Sequence, residues 1–313
     1  MIMIAIIDMK FIRKLYDWIT PDLIDDDYLN INPNAFYFLE NENNLNVISW
    51  YILNKNKNDE AISLLEANPD KIKWTILSEN PAAIKLLEKN IDKIDWFLLG
   101  YNPNAISILE ANPDKIVWNS VSANPNAISL LEKNFDKIDW CQFSLNTNPR
   151  AIALLEKNLD KIDWINLSKN PNAISLLKKN YNKISWRRLC LNPNPAIIPL
   201  LRNNKDKIKW HYLSYNPCAV SFLLENEDKI NWKLFSANTS IDAINYLKNN
   251  KDKIDKELFS SNSAIFTYDY EKIRKNREEL NEDIINAVIH PKRLFRLISE
   301  YGEDEIYNIY FDE

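Results

Sequence analysis

Nine tryptophans, at positions 50, 74, 96, 118, 140, 164, 186, 210 and 232, follow one another at intervals of only 22 or 24 residues. Such spacing is the mark of a chain that repeats one small structural unit, and it removes most single-core folds from consideration. A further interval of 24 reaches Lys256 in one direction and Asp26 in the other, each inside a recognisable copy whose tryptophan is replaced. This makes eleven registers over about residues 20–265. Two residues before the tryptophan slot there is an Ile in all eleven, from Ile24 to Ile254. Six residues after it there is an Asn in all eleven, Asn80, Asn124 and Asn170 among them. Six residues before it an Asn recurs in ten.

The best-formed unit reads D-K-I-x-W-x-x-L-S-x-N-P-N-A-I-x-L-L-E-K-N. Trp and the apolar residue three later share a helical face, as in Trp74/Leu77 and Trp140/Phe143. Asp70, Asp92, Asp136 and Asp160, just before the Ile-x-Trp segment, are placed to accept from the free N–H groups that open that helix. The Ser that follows (Ser78, Ser122, Ser168) is small and implies close approach of a neighbour. Asn80-Pro81 or Asn170-Pro171 then starts a second helix, Asn as cap and Pro at the first helical position, where its missing N–H is not needed. That helix carries Ala127, Leu130 and Leu131 on one face and closes on Asn134 or Asn158, which are expected to take the left-handed cap that Gly usually takes. In four of the five 24-residue spacings the extra two residues fall between Asn and Ala, in the interhelix turn. Helices of about nine residues are unstable alone, so the pairs must stack on one another.

The expected fold is therefore all-α, a helical-repeat solenoid of about eleven short helix–turn–helix units. An N-terminal cap spans 1–21 with a helix over Phe11–Trp18, the tandem repeats span 22–267, and a C-terminal helical cap spans 268–313, where Ile284, Ile285, Val288, Leu294, Leu297 and Ile298 would seal the last repeat. The rival is a leucine-rich-repeat-like βα coil, since Ile-x-Trp alternates and an Asn ladder suits that fold.

Composition narrows function. The chain has only two glycines, Gly100 and Gly302, which removes Gly-rich phosphate loops and with them nucleotide cofactors of that kind. A net charge of −5 argues against nucleic acid as the partner of the whole chain. Cys141, Cys190 and Cys218 form no CxxC or metal spacing and fit free thiols in a reducing, intracellular setting. The apolar run Met1–Ile7 is too short to span a bilayer and lacks a signal-peptide cleavage site, so no membrane association is expected. His211 and His290 have no ligands at metal spacing, and the acidic cluster Asp22, Asp25, Asp26 and Asp27 reads as helix capping ahead of a cation site. No nucleophile–base pair, metal set or cofactor loop is present, so no enzyme is expected and no catalytic residue is assigned. The tryptophan ladder, in company with Ile and Leu, reads as core ahead of a platform for stacking bases.

One pattern points outward. The residue after the tryptophan slot changes almost every time (Tyr51, Thr75, Phe97, Asn119, Cys141, Ile165, Arg187, His211, Lys233), and so does the residue four later, Tyr101, Leu145 and Tyr215 among them. The two positions are i and i+4 on one helix and stack into a continuous stripe. Free drift of a wet face, or a variable buried layer, also produces variation. Phe97, Tyr101, Leu145, Ile165 and Tyr215 are more apolar than drift on a wet face favours. Later in the stripe Arg187, Arg188, His211 and Lys233, with Tyr212 alongside, offer a basic stretch to an acidic ligand or nucleic acid.

Units such as Asp160-Lys161-Ile162-Asp163-Trp164-Ile165-Asn166-Leu167-Ser168-Lys169-Asn170-Pro171-Asn172-Ala173-Ile174 resemble the Trp/Asn-Pro repeat proteins of giant DNA viruses of amoebae and algae, mimivirus-like in type. The tail His290-Pro291-Lys292-Arg293-Leu294 is similar to the segment closing many such chains, and the Asn-, Ile- and Lys-rich composition is consistent with an AT-rich genome. The resemblance covers nearly the whole chain and carries no catalytic motif to transfer. It implies a viral protein acting in host cytoplasm or virus factory. The leading expectation is a non-enzymatic protein–protein interaction scaffold that meets a host or viral protein through Tyr51, Phe97, Tyr101, Leu145, Ile165, Arg187, Arg188, His211, Tyr212, Tyr215 and Lys233. The alternatives are a self-associating virion or factory component, and nucleic-acid or acidic-ligand binding at the basic repeats 186–233.

Overall fold

The structure, a computed structural model, describes residues 13–29, 32, 34–35, 50–57, 59–275, 278 and 296. It is an all-α helical-repeat solenoid in which short helices pack against their counterparts in neighbouring repeats. Two compact units are distinguished, residues 16–265 and residues 1–15 with 266–313. In the second of these, strand β1 (Arg13–Leu15) pairs antiparallel with strand β2 (Phe266–Tyr268), Arg13 opposite Tyr268. The helix expected over Phe11–Trp18 is thus replaced, in its described part, by a strand and a turn. The hydrophobic residues assigned to sealing the C-terminal end, Ile284 to Ile298, lie outside the described residues.

Each repeat contains more than a helix pair. In the unit around Trp164 a 3-10 turn, Leu159–Lys161, comes first, then the helix Trp164–Lys169, then the helix Ile174–Lys179. The turn changes the role of the Asp that opens it. Asp160 lies exposed inside the 3-10 turn and caps nothing, whereas the residue directly before Trp does the capping: Asp163 Oδ1 accepts from Asn166 N at 2.7 Å. Asp95, Asp139 and Asp255 act likewise, while Asp70, Asp92 and Asp136 follow Asp160. Asp163→Ala should therefore cost about 1 kcal/mol in urea unfolding and Asp160→Ala less than about 0.5 kcal/mol; equal losses would return the cap to Asp160.

The closing Asn also departs from expectation. Asn134 has φ −126° and ψ 51°, outside the left-handed region, and its Nδ2 turns back to donate to the Leu130 carbonyl at 2.9 Å. A side-chain donor satisfies one of the carbonyls of the last turn, so the backbone need not invert. Asn-Pro behaves as expected: Asn80 accepts from Ala82 N at 3.0 Å, with Pro81 at the first position of the following turn.

Three columns of side chains form the core and are fully buried: the apolar residue three after Trp (Leu77, Leu99, Val121, Phe143, Leu167), the Ala, and the second Leu (Leu87, Leu109, Leu131, Leu155, Leu177). The tryptophans are only half-buried. The lysine of the next repeat covers the open face of several, Lys115 over Trp96, Lys161 over Trp140, Lys207 over Trp186 and Lys253 over Trp232, at 4.3–4.9 Å. The Lys of the recurring Asp-Lys pair is explained in this way by the ring it roofs.

Repeats are joined by polar bonds as well as packing. The Asn six after Trp is buried and bonds in three directions: Asn124 Nδ2 donates to the Gly100 and Asn102 carbonyls of the preceding repeat at 2.9 Å each, and Asn124 Oδ1 accepts from Asn126 N at 3.0 Å. The Ser supplies the second link, Ser122 Oγ accepting from Asp139 N of the following repeat at 2.9 Å. The Asn ladder that sequence reasoning attached to a βα coil is thus built between helices. Among the described residues no buried side-chain polar atom lacks a partner.

The first helices of successive repeats approach each other more closely than the second helices do. The last repeat is not the end of the stack. The first register sits on it, with Asp25 N donating to Ser260 Oγ at 2.8 Å and Asn32 Nδ2 to the Ser260 and Asn262 carbonyls at 2.8 Å each.

Candidate interaction surface

The stripe lies on the first helices, whose N-terminal cap and buried fourth residue fix how each helix rotates. With the residue three after Trp turned inward, the positions one and five after Trp turn outward. Tyr51 (51%), Phe97 (46%), Ile165 (56%) and Tyr215 (48%) are among the large apolar side chains most exposed to solvent. Arg187, His211 and Lys233 are exposed as well, and Tyr101, Leu145, Arg188 and Tyr212 are half-buried. The positions do not form a hidden layer.

The structure brings some of these residues together and leaves others apart. Phe97 and Tyr101 meet edge to face at 5.6 Å between ring centres. Lys55 Nζ lies 4.6 Å above the Tyr51 ring. Arg187 stacks over Tyr212 at 4.8 Å, and His211 lies 4.0 Å from the same ring. Leu145, Ile165 and Tyr215 follow one another at wide intervals along the tract. Burial first, and then the Glu79 and Asp139 carboxylates, pushes the Tyr101 phenol above its ordinary value, so it stays protonated and available as a donor. Between Lys55, Lys57, Ile76, Glu79, Pro81 and Tyr101 runs an open groove of about 350 Å³.

The residue after Trp has a neighbour that sequence reasoning missed: the residue directly before Trp in the next repeat. Asn119 Nδ2 donates to Asp139 Oδ2 at 2.7 Å, Cys141 Sγ reaches Asp163 Oδ2 at 3.6 Å, and Lys233 Nζ lies 3.4 Å from Asp255 Oδ2. Where the next repeat offers Asp95, Asp139, Asp163 or Asp255, the stripe residue is Thr75, Asn119, Cys141 or Lys233, all able to hydrogen-bond. Where it offers Lys73, Val117 or Ser185, the stripe residue is Tyr51, Phe97 or Ile165, whereas Arg187 and His211 stand opposite Lys209 and Asn231 and follow neither pattern. The signal is present in the sequence as a pairing across about 20 positions, but only the three-dimensional stack shows that the two columns touch.

The same geometry reduces the basic stretch. Lys233 is held between Asp255 and Glu257, both at 3.4 Å, and these carboxylates raise its pKa, Asp255 foremost. Arg187 spends one face on Tyr212. In the acidic cluster, Asp25 Oδ1 accepts from Tyr28 N at 3.2 Å, a helix-capping role. Cys190 takes the Ser place and is buried, where it accepts from Lys209 N and burial pushes its thiol up. Among the described residues no group of His, Cys, Asp and Glu is arranged to hold a metal ion, and no helix is long and apolar enough to cross a membrane. No family model, curated protein or solved structure matches this chain.

Proposed function

We propose that this chain is a non-enzymatic scaffold that binds another protein along the first-helix stripe, with Tyr51, Phe97, Tyr101, Ile165 and Tyr215 as its apolar anchors. The supporting observation is the pairing rule. Exposed apolar residues occur in repeats whose successor has no carboxylate beside them, and hydrogen-bonding residues where it has one. Part of the variation is thereby explained as bonding between repeats; what is left over is Arg187 and His211, opposite Lys209 and Asn231, together with apolar surface in water, which usually marks a contact. Aromatic anchors set apart by weakly binding residues are also how interaction energy is commonly distributed. The stripe runs along the side on which the repeats are most closely spaced, and the groove beside Tyr101 mixes Lys55 and Lys57 with Glu79, a lining suited to a peptide segment of mixed charge.

In this reading the partner is a host or viral protein, and the setting is the interior of an infected cell. A nucleic-acid role at repeats 186–233 is the weaker reading, because Lys233 is already neutralised by Asp255 and Glu257. Affinity capture from infected-cell lysate, comparing the native chain with one carrying Phe97→Asp, Tyr101→Asp, Ile165→Asp and Tyr215→Asp, tests the proposal. A protein held by the native chain and lost by the variant, with unfolding curves alike, is the expected result. Identical captures from both chains would remove the stripe as the binding face.

A further inference from the structure

The contact between first and last registers uses the bonding that joins most interior pairs. Asn32 Nδ2 donates to the Ser260 and Asn262 carbonyls at 2.8 Å each, as Asn262 Nδ2 donates to Ser236 and Asn238 at 3.0 and 2.9 Å. Asp25 N donates to Ser260 Oγ at 2.8 Å, as Asp255 N does to Ser236 Oγ at 2.9 Å. Asn34 Nδ2 adds a bond to the Ser263 carbonyl at 2.8 Å. Trp18 lies against Phe259 at 5.9 Å, and its carbonyl accepts from Lys251 Nζ at 3.2 Å.

The ladder has a direction: the Asn of each repeat donates to the repeat before it. In chain order the first register therefore precedes Trp50, yet in the stack it occupies the place after Lys256. A repeat that is first in sequence and last in space is a head-to-tail contact. Such contacts close into a ring when the end belongs to the same molecule and grow into a line when it belongs to another. Nothing in the bonds distinguishes the two cases. What does distinguish them is the chain from Ala35 to Trp50, which spans at most about 50 Å even when extended. In one molecule the ends of the remaining repeats must come within that reach; between molecules no such demand applies.

We propose that the edge of the last repeat, formed by Phe259, Ser260, Asn262 and Ser263 and filled within one molecule by its own first register, also accepts the first register of a second copy, so that copies of this chain join head to tail. The tethered register has an effective concentration on the order of millimolar, so the closed monomer prevails in dilute folded samples and the exchanged form is populated when chains refold together at high concentration.

The test uses full-length chain with Cys141→Ser, Cys190→Ser and Cys218→Ser, so that introduced thiols are the only ones. One copy carries Asn34→Cys; a second, enlarged by a fused tag, carries Ser263→Cys; a third chain carries both. A short bis-maleimide is then added. The double variant is expected to cross-link within itself at every concentration. The mixed single variants are expected to give a cross-linked heterodimer after refolding together and to lose it at least tenfold when Asn32→Asp is added. An internally cross-linked double variant with no heterodimer under any refolding condition overturns the exchange. Failure of both overturns the seat itself. Neither result depends on what the stripe binds.

Discussion

Asn124→Asp is expected to lower the unfolding free energy by about 3 kcal/mol: the buried Gly100 carbonyl is left unsatisfied, at about 1–3 kcal/mol, and charge repulsion adds to it, while the Asn102 carbonyl keeps its bond from Ala105 N at 3.1 Å. The Asn124 side chain is almost wholly buried, and its Nδ2 gives its two hydrogens to the Gly100 and Asn102 carbonyls at 2.9 Å. A carboxylate keeps the bond from Asn126 N but has no hydrogen for either carbonyl and turns a negative charge toward both. The loss should shrink as the pH falls, because burial raises the pKa of the new carboxyl and its protonated form donates one bond. Asn126→Asp is the control. Asn126 is exposed and donates to the Pro103 carbonyl at 2.9 Å, so its loss should stay below about 1 kcal/mol. In a stack held by neighbour contacts the damage falls on one junction, and urea unfolding should separate into two steps. A variant within about 1 kcal/mol of the native chain, unfolding in one step, would show that the ladder does not carry the junctions.

What was legible in the sequence follows from how much of each residue's environment lies within its own repeat. The register, the Trp-x-x-Leu face, the Asn-Pro start and the all-α class depend on spacings of three to six residues, and all appear in the structure. The exposure of Tyr51, Phe97 and Ile165 follows from the same helical period. The misreadings concern local turn geometry within a repeat and contacts between repeats. Asp160 and Asp163 both precede Trp164, and only the intervening 3-10 turn decides that Asp163 caps. The tryptophans read as core because composition gives no account of the lysine that covers them from the next repeat. The pairing of Asn119 with Asp139, and the seat of Asn32 on the last repeat, bridge 20 and 230 positions respectively, and no periodicity within a repeat reports either.

The Ser slot yields a prediction on which repeat statistics and structure disagree. Seven of the eleven registers have Ser four after the tryptophan slot, while the register of Trp96 has Gly100. By the logic of repeat averages, Gly100→Ser should stabilise, since it restores the common residue and removes a glycine from a helix at a gain of up to about 1 kcal/mol. The structure points the other way. A Cβ at position 100 would lie 2.1 Å from Ser120 Oγ, 2.8 Å from Ser120 Cβ and 3.0 Å from the Val121 nitrogen. The helices Trp96–Tyr101 and Trp118–Ala123 are the most closely packed neighbours of the tract, and Ser120 is buried in the space that other repeats give to the Ser four after Trp. Its hydroxyl donates to the Val117 carbonyl at 3.1 Å, which fixes it there. Adding the side chain forces the helices apart against their own packing, an overpacking cost of about 1–3 kcal/mol. Gly100→Ser should therefore destabilise by about 2 kcal/mol and Gly100→Val by more. Ser120→Gly, made in the Gly100→Ser chain, should recover much of the loss by removing the atoms in the way, so the two changes should couple by more than about 1 kcal/mol in a double-mutant cycle of urea midpoints. A rise in stability for Gly100→Ser alone would mean that this junction relaxes to the spacing of its neighbours, and that the close approach at Gly100 is not required by the packing around it.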